Sequence, residues 1–525
     1  MRYLLLSNYI IKLSSGNLKV YLRNNIMNSK KRSIAIIGGG VAGVATFIAA
    51  VLRHATQLIY IIEPSPIGPG MAFSNVDEDV LCNTSVDTMS ILADKPLDFY
   101  DYLIASGHVV TTESFVPRKW VGNYLVDRFR EYFAIAHRDG IVVIHIPHLF
   151  ISLKINAPRC YSVMFGDVLK PQSLVVTDVV FCTGYGCSRI PDVFSLCLSH
   201  PTFIRNPYPE MNMLARIPAH SRVLVIGSKL SAIDTAILLC RESHQVTMIS
   251  PSGSIPAVRT YLMRCTDAII DQDRLASIIM MLRERRGTMP TVDSLKYSYI
   301  KYFVGLLNKH TNESWRDQFS FVRNYRDRLY EEISIAEKGK CQWQDITVNF
   351  LNVMNEIHLA NTSYFVGSFH PDFMKVIHRY LSSIPLINAR KILQYIDNGV
   401  LFVQKGEIGD ISISAHSPDV WRIDWGEGDK HFDAIVCATG YCLPYYFFDS
   451  KGHIVIDIHS EHAKDAILIS SSLGISHPYF KEIESIWFVG IPAHTRLWIV
   501  NAFFVVLALA NQTVDNIMRL PERII

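Results

Sequence analysis

Several common functional signatures are missing from this chain of 525 residues. Its ten cysteines include no C-x-x-C pair, which argues against a structural zinc site and against a redox-active disulfide. The acyl-hydrolase motif G-x-S-x-G, the phosphate-loop motif G-x-x-x-x-G-K-[ST] and the zinc motif H-E-x-x-H do not occur in convincing form. The sequence therefore favours neither a hydrolase nor a kinase, and no metal is expected.

Strong charge of one sign is lacking too. The formal net charge is only +3, and no basic run is longer than Lys30 to Arg32, so no nucleic-acid partner is expected. The apolar stretch Leu497 to Ala510 is shorter than the roughly 20 residues that span a bilayer and contains Asn501, which predicts a buried terminal helix. The segment Met1 to Ser29 is predicted to be a disordered leader, and the cysteine usage predicts a reducing cytoplasm.

A complete βα unit with a second strand opens the folded part of the chain. In SIAIIGGGVAGVATFIAAVL, which starts at Ser33, a short β-branched run gives way to apolar residues at helical spacing. The following segment QLIYIIE predicts a second strand that ends at Glu63. This order is typical of one crossover in a parallel sheet.

The glycines of this unit predict a dinucleotide site. Gly38 permits the tight turn, Gly40 lets a diphosphate approach bare backbone, and Gly43 allows close packing of helix on sheet. A helix N-terminus favours the negative charge of the diphosphate. Glu63 suits a ribose diol and would repel a 2′-phosphate, which predicts FAD or NAD here; the alternative is a solvated acid at a strand end.

The same order of strand, glycine turn and helix recurs in RVLVIGSKLSAIDTAILLC, and the strand QVTMIS follows it. Two dinucleotide units are therefore predicted. Within Gly227, Ser228, Lys229 and Ser231, the lysine stands where a second glycine is usual. It either reaches a phosphate as a point charge, blocks the pocket, or is a solvated turn residue. Ser250 ends the partner strand without an acid, which favours NADPH over NADH. Arg259 is the nearest candidate to hold the 2′-phosphate, and a generic surface role is its alternative.

A repeated T-G-Y follows two further apolar strands. Thr183-Gly184-Tyr185 and Thr439-Gly440-Tyr441 predict backbone that passes close to a ligand or crosses between lobes. Tight connections without a ligand are the alternative. The neighbouring cysteines have no metal-type spacing and are interpreted as small buried residues.

The remaining organisation is predicted as follows. Residues 30–195 form the first part of an FAD-binding domain, 196–290 an NAD(P)-binding Rossmann domain, and 291–395 a helical insertion. Residues 396–525 return to the FAD-binding domain through short strands such as GVLFVQKGEIG and WRIDWGE. In the insertion, His370, His378 and Arg379 are either substrate-facing or ordinary surface residues.

The ordered set GGGVAG, GPGMAF, LCNTSVDTMS, DFYDYL, FVPRKWVGNYL, T-G-Y, GSKLSAID and FVGIP resembles the FAD/NAD(P)-binding flavoproteins that include an FAD-dependent urate hydroxylase. More distantly it resembles N-hydroxylating and Baeyer–Villiger monooxygenases. The resemblance implies an α/β fold with two Rossmann-like units in a three-layer ββα arrangement and a discontinuous FAD domain.

The same resemblance implies a function and further site residues. It implies an FAD-dependent monooxygenase that uses NADPH and oxygen to hydroxylate a small organic substrate. A substrate that bears an amine agrees with the resemblance. A flavin oxidoreductase without oxygen insertion and a non-catalytic flavin-binding protein are the alternatives. The residues implied at the FAD are Met71, Ala72, Phe73, Asn83, Met89, Arg118, Tyr124 and Gly490; Met89 and Tyr124 have core roles as their alternative, and Arg118 a surface ion pair.

Overall fold

The computed structural model describes most of the chain. The described residues are 32–260, 270–284, 292–310, 314, 320, 322–338, 342–360, 379, 382–409, 411–414, 417–424, 429–478, 480 and 484–521. The predicted leader, His370 and His378 lie outside the described residues.

The elements follow in chain order. The strands are β1 (Ile34–Ile37), β2 (Leu58–Ile62), β3 (Val142–Ile146), β4 (Phe150–Ala157), β5 (Cys160–Asp167), β6 (Lys170–Val176), β7 (Asp178–Phe181), β8 (Phe203–Ile204), β9 (Arg222–Ile226), β10 (Gln245–Ser250), β11 (Leu401–Lys405), β12 (Ile411–Ser414), β13 (Ser417–Asp424), β14 (Asp429–Phe432), β15 (Ala434–Cys437), β16 (Tyr445–Phe448), β17 (Ile454–Asp457), β18 (Leu468–Ile469), β19 (Ile475–Ser476) and β20 (Ile486–Phe488). The helices are α1 (Val41–Leu52), α2 (Asp98–Ala105), α3 (Arg118–Arg138), α4 (Glu210–Leu214), α5 (Leu230–Arg241), α6 (Gln272–Glu284), α7 (Val292–His310), α8 (Tyr325–Glu337), α9 (Gln342–Ala360), α10 (Leu386–Asp397) and α11 (Phe503–Arg519).

The first unit has three layers. Its central parallel sheet has the order β20-β7-β1-β2-β3, and a five-stranded antiparallel sheet, β16-β17-β4-β5-β6, covers one face. Alternate residues of β1 go to opposite sides: Ala35 and Ile37 pack toward the antiparallel sheet, and Ile34 and Ile36 pack toward α1, α3 and α11. This is the predicted ββα arrangement. β20 joins the parallel sheet only after the chain has passed through the second unit.

The second unit contains another five-stranded Rossmann-like sheet, with the order β11-β10-β9-β15-β8. All of its pairs are parallel. One face packs against α5, α8 and α10, and the other is covered by the three-stranded sheet β12-β13-β14, which contributes Trp421, Ile423 and Phe432. The predicted α/β class with two dinucleotide-type sheets is confirmed.

The prediction that residues after 396 return to the FAD-binding domain is wrong for the segment 401–437. β11 pairs with β10 and β15 pairs with β9, so this segment completes the second sheet. The first unit resumes only with β16, which pairs with β17 in the antiparallel sheet. A short apolar strand fits the edge of either parallel sheet, so its pattern does not identify its partner.

The predicted helical insertion also has different limits. Helices α6, α7 and α9 share a small core that includes Leu275, Phe303 and Phe350. By contrast, α8 and α10 pack on the second sheet through Leu329, Ile333 and Ile392. The predicted terminal helix begins at Phe503, not at Leu497, and buries its apolar face against α1. Among the described helices, none has the length and apolar character needed to cross a membrane.

Candidate functional site at the junction of two glycine turns

The first glycine turn lies between β1 and α1 and has almost no room for side chains. Gly38 has φ of 108°, and a Cβ there would lie 2.6 Å from the carbonyl oxygen of Cys182, the residue that follows β7. A Cβ on Gly43 would lie 2.0 Å from the Gly38 oxygen. These two glycines are therefore required by the packing of the turn itself.

Gly40 is different, because its surroundings are open. The nearest heavy atom to a Cβ on Gly40 would be the Cα of Gly70, at 3.6 Å. Gly40 is the N-cap of α1, no side chain caps that end of the helix, and the first turn carries no acid. The bare backbone of two glycines thus borders an uncapped helix N-terminus, which is the arrangement that suits a diphosphate.

Glu63 follows β2 and is oriented by backbone groups. Its Oε2 accepts a hydrogen bond from the Gly39 N–H at 2.8 Å, and its Oε1 accepts one from the Ser65 N–H at 2.9 Å. The side chain is half-buried. The carboxylate is therefore fixed beside the glycine turn and keeps lone pairs for further donors.

The loop after β2 places four of the predicted residues at an accessible surface. Met71 and Ala72 are exposed, and Phe73 and Asn83 are half-buried. Phe73 packs edge-on against Phe503 at the start of α11, with ring centroids 5.6 Å apart. These side chains are available to line a ligand at the turn.

Met89 and Tyr124 have the alternative role that the sequence left open. They are 1% and 0% exposed and belong to the core between the first sheet and its helices. The Tyr124 hydroxyl donates to Asp98 at 2.8 Å and accepts from the Ile91 N–H at 2.9 Å. Both side chains therefore have core contacts in this structure, and their contact with the cofactor stays a prediction.

Arg118 starts α3 and forms a largely buried ion pair between the two units, not a surface pair. Its Nη2 donates to Asp234 of α5 at 2.9 Å, and its Nε donates to the Leu81 carbonyl at 3.2 Å. Tyr208 donates to the same carboxylate at 2.6 Å, and its ring lies 5.7 Å from the guanidinium. Burial raises the pKa of Asp234, while Arg118 opposes that rise. Sequence reasoning missed Asp234 and Tyr208, since they are remote from Arg118 in the chain.

Both T-G-Y segments lie at the points where the chain passes between units. Thr183 and Gly184 follow β7 of the first sheet, and the chain then enters the second sheet at β8; Thr439 follows β15, and the chain then enters β16. The two segments pair with each other, since the Gly186 N–H donates to the Cys442 carbonyl and the Cys442 N–H to the Cys187 carbonyl, both at 2.8 Å. The predicted crossings between lobes are confirmed.

Further contacts order the residues around this double crossing. The Thr183 hydroxyl bonds to the Tyr446 hydroxyl at 2.5 Å, and Gly184 is exposed with open space around it. The rings of Tyr185 and Tyr441 stack with centroids 5.9 Å apart. Aromatic faces and bare backbone therefore line the junction.

Gly490 follows β20 and faces the start of α1. It has φ of 75°, and a Cβ there would lie 3.1 Å from the Cβ of Ala42. The carboxyl ends of β1, β7 and β20 thus meet at one edge, with Gly38, Thr183 and Gly490 beside one another. Ligands of doubly wound sheets bind at such an edge.

The second glycine turn repeats part of this plan. Gly227 has φ of 121°, and a Cβ there would lie 2.5 Å from the Ala438 carbonyl oxygen, just before the second T-G-Y. The buried Ser228 hydroxyl bonds to the Ser250 hydroxyl and to the Ser254 carbonyl, both at 2.8 Å. Ser250 also receives the Gly253 N–H at 3.1 Å. Hydroxyl groups therefore occupy the strand end where the first unit has a carboxylate.

Lys229 is the N-cap of α5, and its side chain is exposed. Partial burial and the nearby charge of Arg379 lower its pKa. Ser231 is half-buried in the first turn of the helix, which has no side-chain cap and no acid. The candidate Arg259 is 8% exposed, so it is not a surface arginine, and its Nη1 donates to Gln344 at 3.5 Å. Arg379 forms an ion pair with Glu332.

Comparisons with known proteins agree with this geometry. Residues 35–186 match the family model described as FAD-NAD(P)-binding. This segment contains β1, the first glycine turn, Glu63 and the first T-G-Y. The predicted resemblance and the FAD/NAD(P)-binding character of the first unit are confirmed. No curated protein sequence matches the chain significantly.

Solved structures show the same fold at low identity. The reduced form of ornithine hydroxylase from Pseudomonas aeruginosa superposes with a TM-score of 0.53 at 14% identity, covering 93% of this chain and 99% of the other. L-lysine 6-monooxygenase from Pseudomonas syringae gives a TM-score of 0.51 at 14% identity with the same coverage. Ornithine N-hydroxylase from Kutzneria sp. 744, described with reduced FAD, NADP⁺ and L-ornithine, gives 0.51 at 12%, again with 93% and 99% coverage.

Proposed function

We propose that this chain is an FAD-dependent oxidoreductase that uses NADPH and oxygen to hydroxylate a small organic substrate. The observation that carries the proposal is the junction itself. Two glycine turns, each opening an uncapped helix, lie beside two T-G-Y segments that are hydrogen-bonded to each other. Such an arrangement suits two dinucleotides whose reactive ends meet at one place.

The first turn fits FAD. Gly40 and Gly70 leave space that a side chain would fill, and Glu63 is positioned to accept from a ribose diol. When bound, FAD supplies hydride acceptance and oxygen activation. The residues proposed to hold it are Gly38, Gly40, Gly43, Glu63, Met71, Ala72, Phe73, Asn83, Thr183, Gly184 and Gly490.

The second turn is proposed to bind NADPH more readily than NADH. Gly227, Ser228, Lys229 and Ser231 surround the start of α5, and Ser250 carries no charge that would repel a 2′-phosphate. Arg118 does not hold a cofactor in this proposal. It positions the two units relative to each other through Asp234.

The finer proposal concerns the substrate. The similar folds include hydroxylases of ornithine and a monooxygenase of lysine, and both of those amino acids carry a side-chain amine. We propose an amine-bearing substrate on this basis. The chain's own contribution is to orient the reacting partners and to exclude water from the junction.

A direct experiment tests these steps in order. The purified full chain is examined for a bound flavin spectrum, then mixed with NADPH without oxygen, and then exposed to air with lysine, ornithine, cadaverine or other amines. We expect a yellow protein, bleaching by NADPH, and an N-hydroxylated product. A colourless, folded protein that takes up no FAD contradicts the proposal. Gly40→Val is the comparison variant and is expected to take up no FAD, because its side chain fills the diphosphate space. Its Cβ meets no neighbour closer than 3.6 Å, so the fold should be retained.

Two other functions remain candidates because of the second turn. Lys229 occupies the position of a glycine, so NADPH binding there differs from the usual pattern. A flavin oxidoreductase without oxygen insertion would turn over NADPH and release only hydrogen peroxide. A non-catalytic flavin-binding protein would bind FAD and not be bleached by NADPH.

A further inference from the structure

Two adjacent side chains after β20 carry buried polar atoms with no assigned role. Within the part of the chain that the structure describes, His494 Nε2 and Thr495 Oγ1 have no hydrogen-bond partner. A buried polar atom without a partner costs folding free energy, so it needs a reason. Buried atoms of this kind also occur elsewhere in the described residues, at Thr260 and Thr513 among others, and His494 and Thr495 are distinguished by lying at the edge where the ligand is proposed.

The tautomer of His494 follows from its other nitrogen. Nδ1 lies 3.1 Å from the Ile491 carbonyl oxygen, which can only accept, so Nδ1 carries the proton. Burial lowers the pKa of His494, which keeps the ring neutral at pH 7. In the neutral ring Nε2 is therefore an acceptor. The Tyr445 ring meets the imidazole edge-on, with centroids 4.8 Å apart, and fixes its orientation.

The position of the pair within the fold is set by its neighbours. Residues 491–495 form a short 3₁₀ helix that begins directly after Gly490, which faces Ala42 at the start of α1. A few residues later, Asn501 donates to the hydroxyl of Tyr185 in the first T-G-Y at 3.1 Å. The segment 490–501 thus runs from the helix N-terminus to the crossing, along the carboxyl edge of the first sheet.

We propose that His494 and Thr495 bind the pyrimidine edge of the flavin ring, which rests on the proposed FAD site above. That edge presents a carbonyl, an N–H and a second carbonyl in sequence. Nε2 of His494 accepts from the flavin N3–H, and the Thr495 hydroxyl donates to an adjacent carbonyl. An acceptor and a donor from consecutive residues match this order.

The first test measures FAD binding by protein stripped of its flavin, using the quenching of flavin fluorescence. His494→Phe keeps an aromatic ring without the acceptor, and Thr495→Val keeps the shape without the hydroxyl. Each is expected to weaken FAD binding about fivefold to tenfold, as the loss of one buried hydrogen bond implies. Thr495→Ser, which restores the hydroxyl, is expected to stay within about twofold of the unaltered chain.

A matched control removes a similar group elsewhere. Thr513 of α11 also has a buried hydroxyl without a described partner, but its helix turn neighbours Asp515, which pairs with Arg53 at the far end of α1. Thr513→Val is expected to leave FAD binding unchanged. Thermal unfolding of each flavin-free variant verifies that the fold is retained.

The second test identifies the flavin atom. FAD methylated at N3 cannot donate to His494, so the unaltered chain is expected to bind it about tenfold more weakly than FAD. His494→Phe should bind the two flavins about equally, because its acceptor is already gone. Equal loss of affinity for the methylated flavin in both proteins overturns the assignment of His494 to N3–H.

The outcomes separate the inference from the function. An unaltered chain that binds no FAD contradicts the proposed function. FAD binding that is unchanged in both variants, in a chain that does bind FAD, overturns only the inference. Unchanged FAD binding with weakened NADPH or substrate binding also overturns it, because the pair would then contact a different ligand.

Discussion

The two glycine turns are built alike where they support the fold and differ where they would touch a ligand. Gly38 and Gly227 both have left-handed φ. The Gly38 N–H donates to the last carbonyl of β2 at 2.9 Å, and the Gly227 N–H donates to the Ile249 carbonyl in β10 at 2.8 Å. Two residues after the first glycine, however, the first turn has Gly40 and the second turn has Lys229. The strand after each helix leads to Glu63 in one unit and to Ser250 in the other.

This difference teaches which residues belong to the scaffold and which to recognition. A turn between a strand and a helix requires its first glycine, because the neighbouring strand passes within contact distance. The second glycine and the strand-end residue face open space or solvent, so they vary with the ligand. Each prediction below breaks or sharpens this comparison.

The largest expected effect comes from the contact that joins the two units. Arg118→Met leaves Asp234 buried without its cation, and we expect a loss of about 3–5 kcal/mol in the free energy of unfolding. Denaturant titration measures it. Arg130→Met is the control, because its ion pair with Asp127 is exposed and contributes about 0–1 kcal/mol. Equal small losses in both variants would contradict a structural role for Arg118.

The second prediction tests a position at which the two turns differ in packing, Gly43 in the first turn. Gly43→Ala places a Cβ 2.0 Å from the Gly38 oxygen, whereas Ala232 already occupies the equivalent position in the second turn. We expect the free energy of unfolding to fall by about 3 kcal/mol and FAD binding to be lost. Gly305→Ala, which meets nothing within 4 Å in α7, should not destabilise the fold. If Gly43→Ala remains as stable as the unaltered chain, the close packing described here is wrong.

Exchanging the strand-end residue should change the choice of cofactor. Ser250→Glu gives the second unit the acid of the first, and we expect the ratio of NADPH to NADH affinity to fall about tenfold, or about 1.4 kcal/mol. Titration of both nucleotides measures this ratio. Ser252→Glu adds the same charge on the exposed loop that follows and should have a smaller effect. An unchanged ratio would place the adenosine ribose away from Ser250.

The smallest expected effect concerns the replaced glycine. Lys229→Gly is expected to weaken NADPH binding about fivefold, or about 1 kcal/mol, and to reduce its salt dependence, because an exposed cation at a helix start attracts phosphate. Lys464→Gly, an exposed lysine of the first unit, is the control. Faster flavin reduction with unaltered or tighter NADPH binding would instead show that Lys229 blocks the pocket.

The sequence predicted the parts of this architecture that depend on local chemistry. Gly38, Gly227 and the two T-G-Y segments are recognisable because a tight turn or a close passage of backbone restricts the residue type. The sheet that accepts β11 and β15 was not predicted, since strand partners are chosen by packing over long distances in the chain. For the same reason the Arg118 and Asp234 pair, separated by 116 residues, carries no signal in the sequence.

The candidate site was predicted less completely than the fold. Met89 and Tyr124 lie in apolar surroundings whose sequence does not reveal whether a ligand or another side chain fills them. His494 and Thr495 were missed because an unpaired buried atom can be seen only when its neighbours are in place. A histidine four residues after Gly490 is otherwise an ordinary residue.

The pairing of the two T-G-Y segments limits how the units can move. The chain passes from one unit to the other at two neighbouring points, and the two crossing segments are hydrogen-bonded to each other. Pulling the units apart or sliding one along the other would break those bonds, whereas twisting about the shared axis would preserve them. Any large domain motion should therefore be a rotation around these paired segments, and it would have to release Asp234 from Arg118 first.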